Sequence, residues 1–529
     1  MTHISIRRFR GRRSSDVACI YGFIVRLSNL NNVRRVAKNA LALSFTSTAR
    51  ILLGVALQVY IARALGAAGL GKYAIILAFI NIFQIVSELG LPALVIREAA
   101  RRRQAASAFL YATALAQLAG AGAAWALLAL SAVALRYPAD TTRLILLSGA
   151  ALVPYAWSSA CETLFQAQER MEFIPLVELL GNGCQLGLAV WLISAGYGVN
   201  ALPAIIVIPQ VVGAFFSLGI AGALGWLTPA RLDLAFSWRL VRAAPDFFLL
   251  ALSVVIFSRL DILVVSKLLG EQATGIYNAA YQVVRVVNLG AASYSDAIYP
   301  AFSRLYREAP ERFAAIGRRA LQYGLMAVLP IATGTTILAA PLIAAIFRRA
   351  QYAEAVPILQ ILSWLCVPFL VSAILSRLLL AGNQQRISLQ ISLIKLAAAG
   401  FYLLLLTPLW GLKGAALASV AGTFTGALLN WLFVTRRLAA LGMRDLAAKP
   451  VLAAFGMGAI VFFLPDRLEL GFSVALGAII YGVLLLLMRA FTGEDWLLLQ
   501  QLTFSRVGPS RQPNHLIGPQ RDMSDGGHP

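Results

Sequence analysis

Apolar stretches of about 20 residues recur along nearly the whole chain, and that repetition leaves few folds open. A helical run of that length rises 1.5 Å per residue and crosses a hydrocarbon core of roughly 30 Å. Lipid offers the backbone no water, so every N–H and C=O must be satisfied within the spanning structure, which leaves helices or a closed barrel. Barrel strands would be about ten residues long and alternate in polarity. Leu403–Leu406 and Val483–Met488 are apolar without alternation. The chain therefore reads as an all-α integral membrane protein. Only 13% of its 529 residues are charged, about half the share in a soluble domain, so no sizeable soluble domain is expected.

Hydropathy places fourteen spans, at 39–62, 73–95, 106–134, 144–165, 174–195, 202–226, 244–266, 276–299, 321–345, 356–380, 388–408, 414–434, 450–464 and 471–488. An even number puts both termini on one side. The connections and tails of that side hold 31 Lys and Arg, the opposite side 9 and the spans five, which accounts for all 45. Positive charge stays inside, so both termini are expected in the cytoplasm. The net charge of +22 is thus a topology signal, and nucleic acid is not an expected partner.

Two echoes organise the spans. Leu65-Gly66-x4-Gly71-x-Tyr73 follows the first, and Leu269-Gly270-x4-Gly275-x-Tyr277 follows the seventh, with identical spacing 204 residues later. Gly198-Val199-Asn200-Ala201 precedes the sixth, and Gly411-Leu412-Lys413-Gly414-Ala415 precedes the twelfth. Both echoes fall at matching topological positions, which favours a duplicated six-helix unit. Six is even, so the copies run parallel, related by an axis along the membrane normal. The expected division is a basic cytoplasmic tail (1–38), an N-lobe (39–226), a cytoplasmic linker (227–243), a C-lobe (244–437), two further helices (438–488) and a partly disordered cytoplasmic tail (489–529).

Several apparent signals carry no chemistry. Residues 1–35 open like a signal peptide, with Arg7, Arg8, Arg10, Arg12 and Arg13, but the apolar run after them ends at Arg26 without a small-residue cleavage site, so processing is not expected. Gly66-x4-Gly71-Lys72-Tyr73 lacks the Ser or Thr that a phosphate-binding loop places after its lysine, and no strand precedes it. Cys19, Cys161, Cys184 and Cys366 have no metal-ligand spacing, and His3, His515 and His528 all lie in the tails. Neither a cofactor nor a metal is expected.

Leu89-Gly90-Leu91-Pro92-Ala93-Leu94-Val95-Ile96-Arg97-Glu98, Ser258-Arg259-Leu260-Asp261 with the Gly270–Tyr281 turn, and Trp410-Gly411-Leu412-Lys413-Gly414-Ala415-Ala416 resemble the polysaccharide biosynthesis (Wzx-type) flippases of the multidrug/oligosaccharidyl-lipid/polysaccharide exporter superfamily. The resemblance spans about residues 39–440. It implies two lobes around a central cavity whose alternating opening moves undecaprenyl-diphosphate-linked sugar units to the outer leaflet. It also implies a lipid-linked oligosaccharide and membrane lipids as partners, with polysaccharide assembly enzymes as candidates to dock on the cytoplasmic loops.

Charges inside the spans are the candidate site, because a charge at mid-bilayer costs about 2.5–3.5 kcal/mol on insertion scales and usually faces a cavity or a partner. Arg50, Arg285, Lys395 and Arg259 are expected to bind the anionic diphosphate, since arginine offers paired donors to phosphate oxygens. Arg50, near mid-span, leads. Asp261 matches the acidic position of the motif and is read as coupling, gating or a structural bond. Arg377 is expected to snorkel at the cytoplasmic end, and Glu162, Glu178, Asp246 and Asp296 to be interfacial or to pair with basic residues. Gln58, Asn81, Gln84 and Asn288 suit sugar hydroxyls or interhelical bonds.

Two other classes are open to test. A multidrug or cation antiporter of the same superfamily should carry an acidic cavity, and the basic excess argues against it. A glycosyltransferase or polymerase normally needs a large external loop with catalytic groups, and every external connection is short. No catalytic constellation stands out, so the chain is not read as an enzyme.

Overall fold

A computed structural model of the chain describes residues 14–228, 233–438, 442–463 and 469–490. The tail from residue 491 and the arginine cluster before residue 14 lie outside the described residues.

The described chain is helical throughout: α1 (Ser14–Glu88), α2 (Leu91–Arg101), α3 (Ala106–Ala134), α4 (Ala139–Gly149), α5 (Leu152–Ala167), α6 (Phe173–Ser194), α7 (Leu202–Ala223), α8 (Leu234–Arg242), α9 (Pro245–Glu308), α10 (Pro310–Ile337), α11 (Ala339–Phe347), α12 (Ala355–Leu362), α13 (Cys366–Ala381), α14 (Gln385–Arg437), α15 (Met443–Phe462) and α16 (Leu470–Leu487). Among the described residues ten segments are long and apolar enough to cross a membrane, and Ala447–Phe462 is a shorter apolar helix. Three of the ten, in α1, α9 and α14, are each broken into two crossings by a non-helical glycine: Gly66, Gly270 and Gly411. Among the described residues these give thirteen crossings, and the shorter Ala447–Phe462 helix brings the number to fourteen, as hydropathy implies.

The breaks sit on the sequence echoes. Gly66 and Gly270 adopt φ of 74° and 85° with ψ near 180°, and Gly198 and Gly411 share φ of 57°. Such backbone is open to glycine and strained for other residues, and the Gly66 and Gly270 turns share one conformation. The second span is shorter than hydropathy suggests. It stops at Glu88, and left-handed Leu89 and Gly90 separate it from α2, which Pro92 helps start. Residues 91–95, expected within the span, belong to this short amphipathic helix.

The N-lobe packs α1, α3, α5, α6 and α7 together, the C-lobe packs α9, α10, α12, α13 and α14, and α15 lies against α10 with α16 beside it. The largest interface joins α1 to α9 across the lobes. The outer surface exposes Trp191, Phe215, Phe401, Leu404, Phe424 and Phe463, a dressing that suits lipid and would drive aggregation in water.

Candidate functional site

Between the lobes lies a cavity of about 540 Å³ with two chemically different walls. The N-lobe wall carries Arg50 from α1, Tyr155 and Glu162 from α5, Glu178 and Gln185 from α6 and Gln210 from α7. The C-lobe wall, built on α9, carries Arg259, Gln282 and Arg285. Helical periodicity explains the selection, because Arg259 precedes the Gly270 break and Arg285 follows it, so the two antiparallel halves of α9 aim both at one space.

Each expected site residue has a definite place. Arg259 and Arg285 line the cavity, and among the described residues neither makes an ion pair. The buried Nε of Arg259 has no hydrogen-bond partner among the described residues. Leaving a buried donor unsatisfied is costly, and an entering anion would satisfy it. Arg50 also lines the cavity, but its Nη1 donates to Glu178 Oε1 at 2.6 Å, so part of its charge is already engaged.

Lys395, expected with these arginines, does not line the cavity. Its ammonium sits 3.7 Å from the Phe257 ring centroid, and Gly426 leaves room for its methylene stem, since a Cβ there would meet Lys395 Cδ at 2.7 Å. Asp261 is buried away from the cavity. It accepts from Tyr277 Oη at 3.0 Å and from the Ile262 amide at 2.8 Å, while Tyr277 also shares a bond with Ser419 at 2.9 Å. That network ties both halves of α9 to α14. Among the described residues Arg259 and Asp261 form no ion pair, as their two-residue spacing suggests.

Of the other candidates, Arg377 pairs with Asp296 at 2.5 Å and lies over Tyr299. Gln58, Asn81 and Gln84 line the cavity and Asn288 does not. Sequence reasoning placed Glu162 near a helix end, but it faces the cavity, and it passed over Glu88, which accepts from Tyr155 and Ser159 at 2.6 and 3.2 Å. A carboxylate within an apolar run was the available signal for both.

The lobes meet at both ends of the cavity. At one end the two Gly66- and Gly270-type turns pack together, with Lys72 bonded to Asp140 and 3.6 Å from Glu271, and Thr141 donating to Glu271. Lys72, which superficially suggested a nucleotide loop, is a latch between lobes. At the other end Gly90 abuts the start of α9, where a Cβ would lie 2.5 Å from the Phe248 nitrogen.

The polysaccharide biosynthesis protein family model matches residues 36–306, just over half of the chain. The chain belongs to that family. The model of the lipid II flippase MurJ family matches residues 248–482, overlapping it and extending through the C-lobe. Among solved structures, the chain is similar to the lipid II flippase MurJ in an inward closed conformation, at 15% identity and a TM-score of 0.74, covering 84% of this chain and 98% of that one. An inward-facing multidrug resistance MATE family transporter follows at 16% identity and 0.60, covering 74% and 94%. A MOP superfamily transporter from Pyrococcus furiosus matches at 14% and 0.52, covering 75% and 94%. No curated protein matches in sequence. At such identities the structures establish the fold, and the family model supports the resemblance to the Wzx-type flippases. As in the families matched, the chain is a multi-pass membrane transporter and not an enzyme.

Proposed function

We propose that the protein is a flippase that carries undecaprenyl-diphosphate-linked oligosaccharide from the cytoplasmic to the outer leaflet of a bacterial plasma membrane, for surface polysaccharide synthesis. The observation that carries this reading is the pair Arg259 and Arg285, two cavity arginines that form no ion pair among the described residues. A diphosphate supplies the acceptors they lack. Gln58, Asn81, Gln84, Gln185, Gln210 and Gln282 add neutral donors and acceptors suited to sugar hydroxyls. The two lobes, at 39–226 and 244–437, alternate access to this space, with the Gly66/Gly270 end facing outward and both termini in the cytoplasm. Asp261 acts as the bolt that holds the C-lobe wall in shape, and Lys395 acts within the C-lobe packing. An outward-moving group with about two negative charges gains on the order of 2.3 kcal/mol per charge per 100 mV of inside-negative potential, so the potential can drive transport.

Complementation of a flippase-deficient strain tests the reading. Surface polysaccharide should return with the wild type and fail to return with Arg259→Gln/Arg285→Gln at equal membrane levels. Glu162 and Glu178 on the N-lobe wall favour a second reading, a cation antiporter, because an acidic wall suits a cationic drug. In that case the strain would stay uncomplemented while drug resistance rose.

A further inference from the structure

The linker helix α8 joins the last span of the N-lobe to the first of the C-lobe, and its two sides differ sharply. Asp233 caps it by accepting from the Phe236 amide at 3.0 Å. One side is spent on packing: Ser237 and Leu240 are buried, Phe236 and Val241 half-buried, and Phe236 meets Phe109 of α3 edge-on at 5.2 Å. At about 100° per residue, the remaining residues fall on a single arc in the order Leu234, Trp238, Arg242, Ala235, Arg239. All five are exposed, Leu234 at 69% and Trp238 at 62%. The exposed face thus has an apolar edge and a cationic edge side by side.

Position supplies the rest. A nine-residue helix between two spans lies where hydrocarbon gives way to headgroups. Tryptophan is favoured at that depth, and arginines beside it reach phosphate. Exposed Arg101 and Arg102, at the end of neighbouring α2, extend the cationic edge. Among the described residues Arg242, Arg101 and Arg102 have no acidic partner, and Arg239 has only Asp233 at 3.6 Å. We propose that α8 is an interfacial helix that binds anionic phospholipid, with Leu234 and Trp238 in the acyl region and Arg239 and Arg242 on the phosphates. Gly90 packs against Ala244 and Phe248 just beyond its end, so the bound lipid steadies this contact between the lobes.

The test uses the full-length protein reconstituted with brominated phosphatidylglycerol or brominated phosphatidylcholine. The fluorescence of Trp238 is isolated as the difference between wild type and Trp238→Phe. Trp238 should be quenched in both lipids, and in mixtures phosphatidylglycerol should be preferred about tenfold, since basic residues near an anionic surface are attracted to it and salt screens part of that attraction. Arg239→Gln/Arg242→Gln, which changes only exposed side chains, should remove most of that preference and leave the quenching. Raising salt on the wild type should weaken the preference without any substitution. Absence of Trp238 quenching would place this face in water, available to a soluble partner, and overturn the proposal. Equal use of both lipids, or a preference unchanged in the double variant, would overturn it too. Full competition by soluble glycerol phosphate would reassign the arginines to a free anion.

Discussion

Gly71 and Gly275 face each other across the lobe boundary, and each fits only because it lacks a Cβ. A Cβ at Gly71 would lie 1.8 Å from the carbonyl oxygen of Glu271, and one at Gly275 would lie 1.8 Å from that of Ala67. The contact is reciprocal because the two turns are copies 204 residues apart. Backbone obstructs both positions, so no side-chain adjustment can relieve an added methyl. Gly71→Ala or Gly275→Ala should hold the lobes apart at this end and cost about 1–3 kcal/mol. Labelling of a cysteine at Gln282 in the cavity by an externally added thiol reagent should rise. Gly122→Ala, which meets nothing within 4 Å, should leave labelling unchanged and stability equal or slightly higher.

The latch around Lys72 should act on both opening and stability. Lys72 is 12% exposed, and its partners Asp140 and Glu271 are 58% and 19% exposed. The Asp140 pair, open to solvent, contributes about 0–1 kcal/mol, whereas losing the lysine leaves the largely buried Glu271 carboxylate without its cation, which costs more. Lys72→Met should lower the melting temperature and raise the same cysteine labelling. High salt should narrow the difference from wild type.

For Asp261 the two available substitutions separate shape from charge. Asp261→Asn keeps an acceptor for Tyr277 and should preserve membrane level and transport. Asp261→Ala leaves the buried Tyr277 hydroxyl only Ser419 and should cost about 1–3 kcal/mol of stability. If Asn kept stability and abolished transport, the carboxylate charge would be part of the transport cycle.

Arg50 and Glu178 should behave as a unit. Arg50→Gln leaves a carboxylate on a wall that already holds Glu162, so it should impair transport more than Arg50→Gln/Glu178→Gln does. Thermal melts and transport rates of the two single variants and the double variant form a cycle, with an expected coupling of about 0.5–3 kcal/mol.

Much of the fold was legible because the bilayer leaves the backbone so little freedom. Span length and the Gly66/Gly270 echo pointed to fourteen crossings and two parallel lobes, since the positive φ with ψ near 180° at both breaks is open to glycine and strained for other residues. The break at Leu89-Gly90 was missed because hydropathy averages over it, although Gly90 followed by Pro92 marks a helix restart. The site was harder to read. Arg50 and Glu178 are 128 residues apart, and no local pattern announces their pairing. Lys395 and Arg285 look alike in a hydropathy plot. Only the packing of α14 against α9 decides that one meets a phenylalanine ring and the other open space.

The most direct test is flipping of a fluorescent undecaprenyl-diphosphate oligosaccharide by purified protein in liposomes, with and without an inside-negative potential. Wild type should move the lipid to the outer leaflet, faster with the potential. Arg259→Gln/Arg285→Gln should lose most of that rate while remaining folded. An equal rate in wild type and the double variant would contradict the account that these two arginines receive the diphosphate.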